Sequence, residues 1–497
     1  MTALLAQLTT AASRPSGMVF RAIGPELILV GTAIALLLLD ALTPREDQRP
    51  LALLSLAGIA AAAAYSVYLW TWLPGAGHSG TYLGNMVAAD KFAVFLRLVL
   101  LAVAAVGVIL SYRYLDRANE ARGEYYPLML FATAGMTLIV SAADLVVVFL
   151  ALEILSLSLY LLTGFSVRRL ASSEASMKYF LLGAFSSAFF LYGIALAYGA
   201  TGTTNILAIN VKVAGQTEPA LALAAVGLLG VGFAFKVAAV PFHMWTPDAY
   251  QGAPTCVTAF MSAGTKVAAF GAFLRVFNVG FQSLAKDWQP VVWGLAAATM
   301  LVGSVLAIAQ SDVKRMLAYS SIAHAGFILV GITAAGPKGI QAVLFYLAAY
   351  ATMIIGAFGV VMLVSIRGEQ NLSLASYAGL ARRDPFLAGA LTLFLLSLAG
   401  IPPTAGFIAK VAVFSAAAQA GYWPLVLIAV IASVIAAFFY IRVIVLMYMQ
   451  EPAEGLAIER DPVSKFAILA PVLLTLLFGV LPGLLFAPLR QASFSVF

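Results

Sequence analysis

The sequence predicts an all-α polytopic membrane protein of about 14 transmembrane helices, built as two inverted five-helix repeats with broken helices 7 and 12. Three observations carry this expectation. Of 497 residues, 63% are hydrophobic and only 10% charged, against ~45–50% and ~25% in soluble domains. Apolar runs of the ~20 residues needed to cross ~30 Å of hydrocarbon follow one another with short connections. Two of those runs are interrupted by proline beside a lysine.

The runs lie at 24–42, 51–72, 91–111, 125–142, 144–166, 174–199, 219–245, 254–278, 290–310, 314–334, 339–366, 385–420, 423–449 and 463–487. They leave almost no chain for a soluble domain. Residues 1–122 (segments 1–3) and 451–497 (segment 14) read as additions to a core of two repeats, 123–280 (segments 4–8) and 281–450 (segments 9–13). An odd number of crossings per repeat makes the second copy start from the opposite side. Met1 to Arg21 lacks the charged start and apolar core of a secretory signal and reads as a mature end.

The net charge of +7 would suggest nucleic acid in a soluble protein, but loop cations here act as topology determinants, and no nucleic-acid partner is expected. With edge residues counted among the connections, 14 of the 28 Lys and Arg follow odd-numbered segments and 8 fall in the other connections and termini. The richer side should face the cytoplasm, which puts both termini on the non-cytoplasmic side. The single Cys256 excludes an intramolecular disulfide and a cysteine-ligated cluster, and three scattered histidines (His78, His243, His324) argue against a metal site.

One interrupted run reads GFAFKVAAVPFHMWTPDAYQGAP, with Lys236 five residues before Pro241; the other reads LAGIPPTAGFIAKVAVF, with Pro402 and Pro403 shortly before Lys410. Proline removes a backbone donor and clashes with the preceding turn, so each helix should open at membrane depth. Paired interruptions of this kind in corresponding halves point to an inverted repeat.

Glu153 lies nine residues after Asp144, hence ~14 Å deep. Lys236 lies nine residues before Trp245, Lys266 is near the centre of its segment, and Lys410 follows the double proline, so the four should share one membrane level. Each charge at a helix centre costs ~2.5–3.5 kcal/mol, or roughly 10–14 kcal/mol for four isolated ones, which rivals the ~5–15 kcal/mol stability of a typical domain. Pairing, neutralisation or hydration must offset that cost. Three central lysines do not balance one central glutamate, so ion pairing that merely glues helices explains the set less well than conduction does. Approach of the Glu153 carboxylate would favour protonated Lys236, and its withdrawal the neutral amine. Ser156, Ser158 and Tyr160 near Glu153, and Ser262 and Thr265 beside Lys266, could hold water or simply pack helices.

Lys178, a few residues into its span, could snorkel to the interface. Arg97 and Arg442 read as snorkelling or structural pairs. His324, ten residues past Lys314, is deep and could relay protons or satisfy a neighbouring serine. His243 approaches the far end of its helix and is a poorer candidate.

The segment Phe235–Phe270, FKVAAVPFHMWTPDAYQGAPTCVTAFMSAGTKVAAF, resembles the antiporter-like subunits of respiratory NADH:quinone oxidoreductase (complex I), which are related to Mrp-type cation/proton antiporters. DVKRMLAYSSIAHAGF from Asp312 and AGIPPTAGFIAKVAVF from Ala399 look similar to the same family. The wording PFHMWTPDAYQGAP, a lysine at position 410 and a chain that stops after segment 14 resemble the N type; Cys256 stands where proline is more usual. The resemblance implies proton-translocating roles for Glu153, its partner Lys236, Lys266 and His324 on a central axis, Lys410 in the second half-channel, and Lys178. It also implies a subunit of a translocase, in the bacterial cytoplasmic (inner) membrane. Further antiporter-like membrane subunits should be its partners, and FMN, iron–sulfur clusters and quinone should belong to other subunits. This chain should hold no cofactor and no redox site, having no cysteine ligand set and no phosphate-binding glycine loop. An Mrp-type Na⁺/H⁺ antiporter subunit without a redox partner, and a membrane scaffold, are the alternatives.

Overall fold

A computed structural model describes residues 20–42, 49–73, 80–118, 120, 122–216, 219–365, 369, 372–452, 458 and 461–492. Residues 1–19, most of the expected mature end, and His78 lie outside them.

Each expected apolar segment overlaps a helix, and the twelfth contains two halves of one; the seventh, expected at 219–245, holds only the first half, and the second starts at its last residue. The first six are α1 (Gly24–Leu42), α2 (Arg49–Trp72), α3 (Lys91–Arg117), α4 (Tyr125–Ser141), α5 (Leu145–Thr163) and α6 (Leu170–Thr201). Then come α7a (Ala220–Val237) and α7b (Trp245–Gly252), α8 (Thr255–Arg275, continued by a π-helical turn to Gly280), α9 (Ala285–Ile308), α10 (Val313–Ala334) and α11 (Gly336–Val364). The last are α12a (Pro385–Ala399) and α12b (Ala405–Gln419), α13 (Trp423–Met449) and α14 (Pro462–Val480). Among the described residues twelve helices are long and apolar enough to cross a membrane, and Tyr125–Ser141, Pro385–Ala399 and Ala405–Gln419 are shorter apolar helices. The apolar runs did not announce the short hairpin of β1 (Gly80–Tyr82) and β2 (Val87–Ala89), nor the connecting helix Ile206–Ala214.

Burial sorts the helices. The α8 span is entirely buried, and α10 and α11 nearly so, whereas α1, α6, α13 and α14 bury only about a third of their apolar windows. An apolar helix exposed on most of its surface suits lipid, and one hidden on all sides must have helices for neighbours. The polar residues of α8 and α10 are therefore shielded from lipid.

Both broken helices stop in the same way. Ala238 adopts a left-handed conformation (φ 62), and Ala239 N–H donates to the carbonyl of Ala234 at 2.7 Å. Gly400 is left-handed as well (φ 86), and Ile401 N–H donates to the carbonyl of Leu396 at 3.0 Å. Each is the six-to-one closure of a Schellman cap, and the prolines that follow cannot resume the helix. Glycine at 400 also leaves room for Lys410, since a Cβ there would lie 2.8 Å from its Cδ.

A second device also occurs twice. Asp144 caps α5 and bridges to Asn205 beyond α6; Asp312 caps α10 and bridges to Ser373 beyond α11. The two bridges lie at opposite ends of the bundle, because α5 and α10 begin at opposite ends.

Arginines tie the helices to one another. Arg97 on α3 donates to Glu26 on α1 at 2.8 Å with both side chains buried. Arg275 at the end of α8 grips the carboxylate of Asp90, the cap of α3, at 2.8 and 3.0 Å. Arg442 donates to the carbonyls of Ile308 and Gln310. Of the two alternatives expected for Arg97 and Arg442, structural pairing is the one observed.

Candidate functional site

Breaking a helix frees carbonyls, and at membrane depth each needs a donor. At the α7 break, the Trp245 indole N–H donates to the carbonyl of Phe235 at 3.0 Å, and Thr299 on α9 accepts from Val240 N–H at 2.9 Å. Lys266 on α8 supplies the remaining donor: its Nζ reaches the carbonyl of Val237 at 3.0 Å and that of Ser321 on α10 at 2.7 Å. At the α12 break, Lys410 donates to the carbonyl of Ala399 at 2.8 Å and to the Ser433 hydroxyl on α13 at 2.7 Å. Lys266 and Lys410 thus each close the C-terminal end of a half-helix, where the helix dipole favours a cation.

Between these lysines α10 forms the spine. Ser320, His324 and Phe327 recur at helical spacing on one face. Tyr350 donates to the Ser321 hydroxyl at 2.8 Å. The His324 ring lies between two phenols, Tyr346 at Nδ1 (2.8 Å) and Tyr440 at Nε2 (3.3 Å), and Tyr440 also bonds Ser320. The Lys410 ammonium stands 4.6 Å over the Phe327 ring. Two hydrogen-bonded polar groups thus lie along α10 between Lys266 and Lys410: Tyr350 on Ser321, and Ser320, Tyr440, His324 and Tyr346. Of the two readings of His324, a serine as direct partner is replaced by tyrosines.

One expectation needs correction: Glu153 does not contact Lys236. Its carboxylate accepts from Ser187 on α6 at 2.5 Å, while Lys236 donates to Ser156, one turn further along α5, at 2.6 Å. The Lys236 ammonium also lies over the rings of Tyr160 (5.8 Å) and Tyr179 (5.5 Å). The pair is separated, with Ser156 in the intervening position.

Lys178 stands apart from these groups. Its side chain is 46% exposed and pairs with Glu174 and with Asp248 on α7b, which in turn pairs with Arg315 on α10. Ser262 and Thr265 turn back onto carbonyls of their own helix. Among the described residues no cluster of three or more His, Cys, Asp or Glu could hold a metal ion.

Buried lysines, an imidazole and phenols lining the interior of an apolar helical bundle, with two broken helices, define an antiporter-like integral membrane protein. The sequence profile of the family "NADH:quinone oxidoreductase/Mrp antiporter, TM" matches residues 142–436. The chain is 45% identical over 478 residues to NADH-quinone oxidoreductase subunit N of Trichlorobacter lovleyi, covering 94% of this chain and 96% of that one. It is 47% identical over 511 residues to the subunit N of a Parafrankia strain, covering 97% and 96%. It superposes on a chain of respiratory complex I from Thermus thermophilus, solved with bound aureothin, with a TM-score of 0.80 at 37% identity over 94% of this chain and 100% of that one. A chain of the Mrp complex from Dietzia shares the fold, with a TM-score of 0.83 at 24% identity over 95% and 96% of the two chains. The chain belongs to the family of N subunits of NADH-quinone oxidoreductase.

Proposed function

We propose that this chain is the antiporter-like, proton-translocating subunit of a NADH:quinone oxidoreductase and moves protons along the Glu153, Lys236, Lys266, His324, Lys410 row. The observation that carries the reading is the series of titratable and hydroxyl groups between the two broken helices, gathered around α8 and α10, which the bundle buries. The Glu153–Lys236 pair acts as the switch. In the separated state Lys236 donates to a neutral hydroxyl instead of the carboxylate, which supports its charged form less than contact with Glu153 would; return of the carboxylate favours uptake. Lys266 receives the proton, the Ser321–tyrosine–His324 segment passes it on, and Lys410 delivers it to the second half-channel. Lys178 acts from outside, through Asp248, by setting the position of α7b.

The energy comes from elsewhere. We assign no redox site and no cofactor to this chain, which has one buried cysteine, and place FMN, iron–sulfur clusters and quinone in partner subunits. Its neighbours are then other membrane subunits, further antiporter-like chains among them. The repeats 123–280 and 281–450 fit the doubled Schellman stops and the doubled Asp144/Asn205 and Asp312/Ser373 bridges, with 1–122 and 451–497 as additions. The bundle lies in a bacterial cytoplasmic membrane with both termini outside, as the excess of cations beside odd-numbered helices favours.

Affinity purification of the full chain from gently solubilised membranes tests this reading. Copurification with flavin and iron–sulfur subunits and quinone-reducing activity is the expected result. Recovery with antiporter-like chains alone, together with sodium–proton exchange in vesicles, would instead establish the Mrp-type alternative.

A further inference from the structure

Glu369 stands five residues beyond α11, outside the row described above. Its side chain is 1% exposed, and its carboxylate takes hydrogen bonds from three helices and an ion pair from a fourth. Thr255, the first residue of α8, gives both its backbone N–H and its hydroxyl, the latter at 2.8 Å. Lys314 at the start of α10 approaches to 2.6 Å, Tyr114 near the end of α3 to 2.5 Å, and Arg169, the cap of α6, to 3.3 Å. Lys314 also donates to the carbonyl of Ala253, the cap of α7b, at 2.6 Å. The backbone of Glu369 is left-handed, with φ 59, a region that side chains other than glycine seldom adopt, so the surrounding contacts must hold it there.

The helices pinned in this way matter. The α8 and α10 helices carry Lys266 and the Ser321–His324 segment. Thr255 precedes Lys266 by eleven residues and Lys314 precedes Ser321 by seven, so the cluster caps the same helix pair about 10–17 Å from the lysine. In the interval stand Tyr250, whose carbonyl accepts from Thr258 at 2.9 Å, and Tyr350 on Ser321. Thr258 and the Tyr350–Ser321 pair thus place polar groups between Lys266 and the end of the bundle where the connections after odd-numbered helices meet. A carboxylate with free lone pairs at that end would draw in water; four hydrogen-bond donors and the Arg169 cation leave Glu369 little capacity for it.

We propose that Glu369 is a positioning residue that seals this end of the central row. It holds the first turns of α8 and α10 together, so that Lys266 keeps its contact with Ser321 and water cannot follow the seam between the helices. Protons then reach Lys266 from the Glu153–Lys236 side alone. The inference rests on the row being the proton path.

The test uses the assembled complex in proteoliposomes and two readings: passive proton conductance without substrate, and protons moved per electron during turnover. Glu369→Gln keeps the volume and still accepts from Thr255 but cannot neutralise Lys314. It should raise passive conductance severalfold and roughly halve the protons moved per electron, with Glu369→Asp intermediate. A purely structural carboxylate would change the yield of complex and leave the conductance per assembled complex untouched; that result, or tight vesicles that pump normally, overturns the seal. Should Glu369→Gln not assemble, Tyr114→Phe, which frees one acceptor site on the carboxylate, is read in the same way: a leak supports the seal and tight, normally pumping vesicles overturn it. The underlying reading fails separately. Lys236→Ala should stop pumping in vesicles that stay tight, and normal pumping by that variant would remove the row whatever Glu369 does.

Discussion

Lys266 donates to the carbonyl of Val237 at 3.0 Å, which sets the ammonium of α8 on the C-terminal end of the half-helix α7a. Its removal strips a donor from two buried carbonyls, those of Val237 and Ser321, and each buried acceptor left unsatisfied costs about 1–3 kcal/mol. Lys266→Ala should therefore lower thermal stability and abolish pumping together. Lys266→Arg separates the two effects, since guanidinium keeps a donor but does not give up its proton. Stability should return and pumping should not, as measured by thermal unfolding and by proton uptake per electron.

The phenol of Tyr440 links Ser320 to Nε2 of His324. Tyr440→Phe removes that link with little change of volume. The pumping rate should fall by up to about tenfold, equivalent to ~1.4 kcal/mol on the barrier, while the complex assembles in normal yield. An unchanged rate would show that protons bypass this phenol.

Arg97 and Glu26 form a buried pair remote from the row. Removing one partner strands the other charge, at about 3–5 kcal/mol. Arg97→Leu should thus lower the melting temperature markedly, and Arg97→Leu with Glu26→Gln should recover much of the loss. Protons moved per electron, measured on assembled complexes, should stay at the parent value in both.

The fold was readable from the sequence because its signals are local. Run lengths gave the helices, and Pro241 and Pro402–Pro403 gave the breaks. The partners of the buried lysines were not readable. Lys266 and Lys410 bond carbonyls, which every residue carries, and the choice among them is made by tertiary packing. Tyr346 and Tyr350 sit in an apolar run with nothing to separate a relay phenol from a packing ring, and Glu369 looks like any loop carboxylate. The positions of Glu153 and Lys236 indicated depth but not contact, because one helical turn of α5 decides whether Ser156 or the carboxylate faces the lysine. Lys178 satisfied the family pattern while its half-exposed side chain pairs with Glu174 and Asp248, away from the other lysines.

Burial pushes the Glu369 carboxyl up, but the Lys314 and Arg169 cations and the hydrogen bonds from Lys314 and Tyr114 outweigh it and hold the group below the usual carboxylate range. A carboxyl lowered on folding contributes stability above its unfolded value of about 4.3 and loses it as pH falls through the lower folded value. The stability gap between the parent complex and Glu369→Gln should be constant from neutral pH down to about 5 and close below about 4. Thermal unfolding across that range measures it; a gap that widens in acid would contradict the ionised cluster.

The switch is the centre of the mechanism, and protons translocated per electron in reconstituted complex carrying Lys236→Ala test it most directly. With the complex assembled and its quinone reduction measured in the same vesicles, the ratio should collapse or fall strongly. An assembled Lys236→Ala complex that pumps at the parent ratio would contradict the role of the Glu153–Lys236 pair.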